Sequence, residues 1–274
     1  MIQFAFSTNA FKRTSLEEAV TSIASCGYGG VEMMADIPHA YPPHMPPERV
    51  DALVAQLRRL RLQISNINAF TLFAIGDTYR PTWIDPDPAQ RRQRISHTAA
   101  CIEMAGRLRA PTISLQPGGP LTGEPVEDAL DLYADGIMQL LPSAERAGVT
   151  LTVEPEPGLL IETSTQCRDF VRRMNHPRLR MNADLGHFYC VGEDPAAVLE
   201  SCRDIIAHIH IEDIAANRVH QHLIPGAGAM DFDSIFSMIR KIDYRGWVTV
   251  ELYPYETTAE DAALQAMKYL QRYV

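Results

Sequence analysis

Acidic side chains and imidazoles recur in the second half of this 274-residue chain, each time at the end of a short apolar run. The first two runs end at Glu154 and Asp184, the third contains His210, and the fourth ends at Glu251. A single carboxylate at the end of a strand is commonly held by a neighbouring lysine or backbone amide and has no chemical role. Four such residues in succession favour a shared function.

Three carboxylates and one imidazole form a hard, mostly oxygen ligand set, which suits Mn²⁺, Mg²⁺ or Co²⁺ better than a thiolate zinc site would. Without a cation the three anions would repel one another and their pKa values would rise. The sequence therefore predicts one divalent metal ion bound by Glu154, Asp184, His210 and Glu251.

Other polar residues follow the same strand ends. His187 comes three residues after Asp184 and is predicted to hydrogen-bond the substrate, although a histidine at the start of a helix can also bond to backbone. Glu156, between two prolines, could contact the substrate or only line the rim. His208 lies two residues before His210, and we expect it to support its neighbours through hydrogen bonds.

The loop after the third run supplies the remaining candidates. Arg218 is the one cation that the sequence places near the site, and an arginine there suits a carboxylate, phosphate or polyhydroxyl ligand. His220 and His222 alternate, so that one of them can face inward. We therefore expect Arg218 and either His222 or His220 to line a substrate pocket.

The elements that must position these residues alternate regularly along the chain. Strands are predicted over residues 3–8, 29–34, 62–68, 111–116, 150–154, 179–184, 206–211 and 247–251, each followed by a helical segment. Strands that alternate with helices form a parallel sheet. Eight such units in about this length fit a closed barrel better than an open sheet, and function collects at the carboxyl ends of barrel strands. We predict a single (β/α)8 TIM barrel over residues 1–274.

A long loop, at about residues 70–88, interrupts this alternation after the third strand. It is rich in proline and aspartate and contains Trp83. Loops of this length within a domain often act as functional lids. A surface excursion without a role is an equally good interpretation.

Composition narrows the class of protein. The net charge of −9 and the pI of about 5.5 argue against a nucleic-acid partner. No apolar run is long enough to span a bilayer, and the first residues lack the pattern of a secretory signal. The five cysteines are scattered without a CxxC pair, which is typical of reduced thiols. We expect a cytoplasmic protein without a membrane partner.

The residues described above resemble a known family, the xylose isomerase-like TIM barrels, and within it the sugar phosphate isomerase/epimerase group that includes ketose 3-epimerases. The resemblance covers nearly the whole chain, and its specific part is in the second half. The motifs that match are Glu154 at a strand end, Asp184-x-x-His187, His208-x-His210 and the late Glu251.

The resemblance implies specific roles for these residues. The matching positions in the epimerases bind the metal, and the glutamates that match Glu154 and Glu251 also act as an acid–base pair. Residues that match His187 and Arg218 contact the substrate, although Arg218 is spaced differently from His210 than in the epimerases. The implied partner is a small carbohydrate, and a homo-oligomer is expected.

Several reactions are compatible with these residues. We expect a metal-dependent isomerase or epimerase that acts on a sugar, sugar phosphate or cyclitol by proton transfer through an enediolate. A dehydratase or lyase acting on an inosose or a dehydroshikimate-like compound would use the same enolisation. Apurinic endonucleases share the superfamily, but their extra early-strand ligands are replaced here by Asn66, Asn68 and Gln116, which argues against a phosphodiesterase. A non-catalytic ligand-binding barrel is the remaining alternative.

Overall fold

Eight parallel strands close into a barrel in the computed structural model, which describes residues 2–274. The strands are β1 (Gln3–Ser7), β2 (Gly30–Met34), β3 (Gln63–Asn68), β4 (Thr112–Leu115), β5 (Thr150–Val153), β6 (Leu179–Asp184), β7 (Ile206–Ile211) and β8 (Trp247–Val250). Each strand pairs with the next in sequence, and β1 pairs with β8. The closed barrel confirms the predicted fold.

Helices connect the strands and pack around the barrel. They are α1 (Leu16–Ser25), α2 (Pro47–Leu60), α3 (Pro88–Leu108), α4 (Val126–Ala147), α5 (Ser164–Met174), α6 (Leu185–Cys190), α7 (Pro195–Ser201), α8 (Phe232–Lys241) and α9 (Ala259–Leu270). Their starts follow local capping chemistry, as in α1, where Ser15 and Glu18 form a capping box. At the other end of a helix, Gly148 adopts the left-handed conformation that ends α4.

The barrel interior is polar rather than filled with branched apolar side chains. In β7, His208 and His210 approach Glu32 of β2, a strand that is not their neighbour, so these side chains lie inside the barrel. The alternating Ile209 and Ile211 are buried in the core outside it. Part of this polarity is satisfied by hydrogen bonds between strands, such as the one from Asn66 Nδ2 of β3 to Glu32 Oε2 of β2 at 2.8 Å.

The long loop after β3 is fastened to the barrel. Arg94 of α3 is fully buried, and its guanidinium donates hydrogen bonds to the carbonyl oxygens of Phe70 (2.8 Å), at the start of the loop, and Pro81 (2.8 Å), in its second half. Asp36, after β2, accepts hydrogen bonds from Thr71 Oγ1 (2.9 Å) and the backbone N–H of Ala74 (3.1 Å). The loop therefore has a defined position over the barrel mouth.

Most predicted elements match the structure to within a few residues at their ends. The exception is α6, where the sequence indicated only a turn; Asp184 ends β6 and also caps this short helix by accepting from His187 N. The five cysteines are free. Among residues 2–274, none of the helices is both long enough and apolar enough to cross a bilayer.

Candidate metal and substrate site

The four predicted ligands meet at the carboxyl ends of β5 to β8. One ligand atom each from Glu154, Asp184, His210 and Glu251 lies within 4.8 Å of the others, and all four residues are buried. His210 Nδ1 is 3.0 Å from Glu154 Oε1, 3.7 Å from Asp184 Oδ2 and 3.9 Å from Glu251 Oε2. The structure thus brings together the whole predicted set.

The hydrogen bonding of these ligands fits a divalent cation. Within residues 2–274, Glu154 Oε2 and Asp184 Oδ2 are buried without any hydrogen-bond donor. A buried carboxylate oxygen that lacks a donor costs free energy, because it has lost water without replacement. A hard cation would satisfy both oxygens, and three carboxylates with one imidazole are a suitable donor set for it.

Crowded negative charge shifts the pKa values of the cluster. Burial and the carboxylates of Glu154, Glu32 and Asp184 raise the pKa of Glu251 well above its usual range. Burial disfavours the charged form of His210, but the carboxylates of Glu32, Glu154 and Glu251 together hold its pKa well above its usual value. Both shifts show that the surrounding carboxylates favour positive charge at this cluster, which a divalent cation would supply.

A cavity of about 360 Å³ opens above the cluster. Glu154 and Glu251 form part of its floor, and Phe70, Tyr79 and Tyr253 contribute aromatic walls. Ligand cavities of this size combine apolar walls with a few fixed polar groups. The ligand cluster therefore faces a space suited to a small organic molecule.

His187 and Glu156 lie together beside this cavity, as the sequence placed them. His187 donates through Nδ1 to Pro155 O at 2.8 Å, which leaves Nε2 3.2 Å from Glu156 Oε2. Burial, reinforced by the charges of Glu154 and Asp184, raises the pKa of Glu156 to about 7. Burial acts against the charged form of His187, yet Asp184 and Glu156 raise its pKa to about 9. The pair can hold or supply a proton at the cavity wall.

The two loop histidines occupy different places. His220 is half-buried and lines the cavity, with its Nδ1 3.6 Å from Glu156 Oε1. His222 is fully buried behind the wall, where its Nδ1 donates to Glu251 O at 2.9 Å and its ring packs on Tyr253. Of the two, His220 is therefore the one positioned to touch a ligand, and His222 supports the wall.

Arg218 lies outside the cavity, which corrects the expectation that it lines the pocket. Its side chain is exposed, its guanidinium stacks on the Tyr189 ring with 4.5 Å to the ring centroid, and Nη1 donates to Tyr189 O at 3.0 Å. The chain turns at Arg218, whose φ is 59°, and the stacking contact holds the side chain against α6. The sequence predicted a loop at this position, but not the direction in which the turn points the Arg218 side chain.

Asn9 and Lys12, which follow β1, also line the cavity, and the sequence alone had not indicated them. Asn9 Nδ2 donates to Glu251 Oε1 at 2.8 Å, and Asn68 Nδ2 of β3 donates to the same oxygen at 3.1 Å. Lys12 lines the cavity as a cation, 3.8 Å from Glu256 Oε2. Closure of the barrel brings the end of β1 beside β8, so the strand-end rule used for the acidic residues could have found Asn9.

The long loop borders the cavity as well. Phe73, Thr78 and Tyr79 form part of its wall, and the Tyr79 hydroxyl donates to Glu156 Oε1 at 3.4 Å. Trp83, in contrast, is buried against Tyr133 and anchors the loop. The long loop therefore contacts the cavity and does not only run over the surface.

Glu212 is a further buried acid next to the cluster. Both of its carboxyl oxygens lack a hydrogen-bond partner among the described residues, and burial together with the charge of Asp184 raises its pKa well above the usual range. Gly186 leaves room for it, because a Cβ at that position would overlap Glu212 Oε1. Glu212 thus adds a further buried carboxyl group beside Asp184.

Comparisons with known proteins agree with this architecture. The family model described as xylose isomerase-like TIM barrel matches residues 20–273. An inosose dehydratase of Clostridium beijerinckii is 25% identical over 289 residues, which cover 95% of this chain and 90% of the relative.

Solved structures show the same fold. A D-tagatose 3-epimerase-like protein superposes with a TM-score of 0.84 and 20% identity, covering 99% of this chain and 97% of the other. The IOLI protein, solved with a zinc atom, superposes with a TM-score of 0.83 and 20% identity, covering 100% and 98%.

Proposed function

The chain belongs to the xylose isomerase-like TIM barrel family, and we propose that it is a divalent-metal-dependent isomerase or epimerase of a small sugar, sugar phosphate or cyclitol. The proposal rests on one observation above all. Glu154 and Glu251 both border the cavity and both belong to the ligand cluster, so two carboxylates can reach the same bound molecule. A polyhydroxyl molecule fits the mixture of aromatic and amide groups around them.

The metal would be held by Glu154, Asp184, His210 and Glu251. When bound, a divalent cation supplies Lewis acidity that makes a carbon beside a substrate carbonyl more acidic. Asp184 and His210 lie in the cluster but do not line the cavity, so we assign them to metal binding alone, without a part in proton transfer.

The chain's own residues move the proton in this scheme. One of Glu154 and Glu251, as the carboxylate, accepts the proton as the C–H bond breaks; the C–H electron pair forms the carbon–carbon double bond of an enediolate while the carbonyl π pair moves onto its oxygen. The other glutamate, which enters the step protonated, gives its proton to the opposite face of the carbon as the carbonyl re-forms. The centre is inverted, and the two glutamates have exchanged protonation states. Asn9 and Asn68 hold Glu251 Oε1 by hydrogen bonds, so that Oε2 is the oxygen left for transfer.

A dehydratase is the second candidate, and a specific observation favours it. Elimination of water begins with the same proton abstraction, but an acid must then protonate the leaving hydroxyl. Glu156, whose pKa burial raises to about 7, and His187 face the cavity and can supply that proton. The inosose dehydratase relative supports this alternative, and an inosose is its natural test substrate.

The phosphodiesterase reading has less support. Gln116, at the end of β4, donates to Tyr79 O at 2.8 Å and thus serves the long loop. The side-chain N–H groups of Asn66 and Asn68 donate hydrogen bonds to the carboxylates of Glu32 and Glu251, respectively. The amide oxygens of Asn66 and Asn68, the atoms that could bind an ion, accept hydrogen bonds from Thr112 Oγ1 at 2.8 Å and Phe70 N at 3.1 Å instead.

Turnover in deuterated water tests the proton-transfer scheme. The enzyme, loaded with Mn²⁺, is incubated with a panel of ketoses and with an inosose. Solvent deuterium should enter the carbon beside the carbonyl, and Glu154→Gln and Glu251→Gln should each reduce the exchange by at least about 10²-fold, because general acid–base catalysis contributes roughly 10²–10⁴-fold. Loss of water from the inosose would select the dehydratase. Full activity of either variant would exclude the two-glutamate scheme.

A further inference from the structure

Glu32 lies inside the barrel, beneath the ligand cluster and away from the cavity. It belongs to the middle of β2 and is fully buried. A carboxylate in this position has lost all contact with water, so its partners must be found within the protein.

The partners of Glu32 lead to the metal ligands. His210 Nε2 lies 2.6 Å from Glu32 Oε2, and the imidazole donates this bond because a carboxylate can only accept. Asn66 Nδ2 donates to the same oxygen at 2.8 Å, and Asn68 Nδ2 donates to Glu32 Oε1 at 3.3 Å.

The contact with His210 fixes the direction of the imidazole ring. With Nε2 bonded to Glu32, the remaining nitrogen, Nδ1, points at Glu154, Asp184 and Glu251. A histidine that binds a metal through one nitrogen usually donates its other N–H to a carboxylate, carbonyl or water, and this bond sets the tautomer and the orientation of the ring.

A second contact extends from Glu32 to the opposite side of the cluster. The Asn68 amide that donates to Glu32 Oε1 also donates to Glu251 Oε1, at 3.1 Å. Glu32 therefore touches one ligand directly and a second through a single amide.

Glu32 is better placed to position ligands than to bind an ion itself. Glu32, His208 and His210 are close enough together to form a small cluster of their own. However, Glu32 Oε2 already accepts hydrogen bonds from His210 and Asn66, whereas the four-residue cluster above it has buried oxygens without donors.

We propose that Glu32 is a positioning residue of the metal site, which holds His210 with Nδ1 toward the metal and steadies Glu251 through Asn68. This inference rests on the proposed metal site at Glu154, Asp184, His210 and Glu251. Glu32→Gln tests it, because glutamine has nearly the same size but presents one acceptor oxygen and one NH₂ group. At least one of the three donors around position 32 then faces another donor.

The measurement is the binding of Co²⁺ to the full-length apoprotein, by calorimetry and by the visible absorption spectrum of the bound ion. For Glu32→Gln we expect the affinity to fall roughly 10- to 100-fold, the range found for partners that orient metal ligands, with a changed spectrum. Asn66→Ala is the control, since Asn66 donates to the same carboxylate but makes no hydrogen bond with any of the four ligands, and the Co²⁺ affinity of this variant should stay within about threefold of wild type. If Glu32→Gln does not fold, Glu32→Asp, which keeps the charge and withdraws it from His210, should still weaken Co²⁺ binding.

The outcomes separate the inference from its premise. A wild-type protein that binds no Co²⁺ would overturn the metal site itself. Wild-type binding with an unchanged affinity and spectrum in Glu32→Gln, or in Glu32→Asp if that is the variant that folds, would overturn the role of Glu32. Equal weakening in Asn66→Ala would also overturn it, because the effect would then come from general disturbance of the interior.

Discussion

The two carboxyl oxygens of Asp184 have different surroundings, and a substitution can separate capping from the proposed metal binding. Oδ1 accepts the backbone N–H of His187 at 2.9 Å and thereby caps α6, whereas Oδ2 faces His210 without a donor of its own. Asparagine caps helices about as well as aspartate, but its neutral amide lacks the second anionic oxygen. Asp184→Asn should therefore fold normally and lose the metal.

Metal analysis of the purified protein checks this expectation, with about one equivalent in wild type and little in the variant. Asp194→Asn is the matched control, because Asp194 caps α7 in the same way and does not belong to the cluster. Full metal content in Asp184→Asn would remove Asp184 from the ligand set.

A second prediction for single residues concerns the positively charged side chains near the cavity. Lys12 lines the cavity, whereas Arg218 is held outside it on Tyr189. Lys12→Met should lower kcat/KM by roughly 10-fold or more, since a hydrogen bond from a charged group is worth about 1.5–3 kcal/mol. Arg218→Met should leave kcat/KM almost unchanged. Steady-state kinetics on the substrate found in the deuterium assay decides between them, and the reverse ranking would restore Arg218 as the contact.

At the scale of elements, loops after β1 and β2 are tied together by a buried histidine. His39 Nε2 lies 3.2 Å from Phe11 O and 3.3 Å from Thr14 O, and the side chain is 1% exposed. Burial lowers the pKa of His39 from 6.5 to about 4. The unfolded chain therefore binds a proton at this residue at a higher pH than the folded chain does.

The sign of the effect follows from this difference. His39 stabilises the folded state fully above pH 6.5, and the contribution is lost as the pH falls toward 4. The loss amounts to roughly 3 kcal/mol for a shift of this size. His39→Gln keeps an N–H donor without a titrating group, so its free energy of unfolding should fall less between pH 7 and pH 4. Urea denaturation at each pH measures this slope. His44→Gln, at an exposed histidine in the same loop, should keep the wild-type slope.

Elements were easier to predict from the sequence than the direction of single side chains. The strands were visible because apolar runs, capping residues such as Ser15 and stop signals such as Gly148 are local features. The four candidate metal ligands followed from one rule, that barrel strands collect function at their carboxyl ends. The direction of Arg218 depends on the Tyr189 ring, and the role proposed for Glu32 depends on a contact across the barrel, so neither could be predicted from local sequence.

At the scale of the whole molecule, the barrel interior gathers charge that folding alone satisfies poorly. Glu32, Glu154, Asp184, Glu212 and Glu251 are all buried within one closed sheet. The chain as a whole also carries a net charge of −9, which adds to the repulsion in the compact state. A cation bound only by the folded protein should therefore contribute to stability as well as to chemistry.

Chelation should lower the melting temperature of the whole protein. A ligand present at about 100 times its Kd adds roughly 2.7 kcal/mol to the stability of the form that binds it. For a chain of this size, that corresponds to a shift in Tm of roughly 5–10 °C. Calorimetry with EDTA and then with excess Mn²⁺ should show a reversible fall and recovery of this order. Asp184→Asn, which should lack the metal in either condition, should melt at one temperature throughout. A fall of the same size in that variant would mean that EDTA acts elsewhere, and an unchanged wild-type Tm would mean that the folded barrel does not depend on a cation at this cluster.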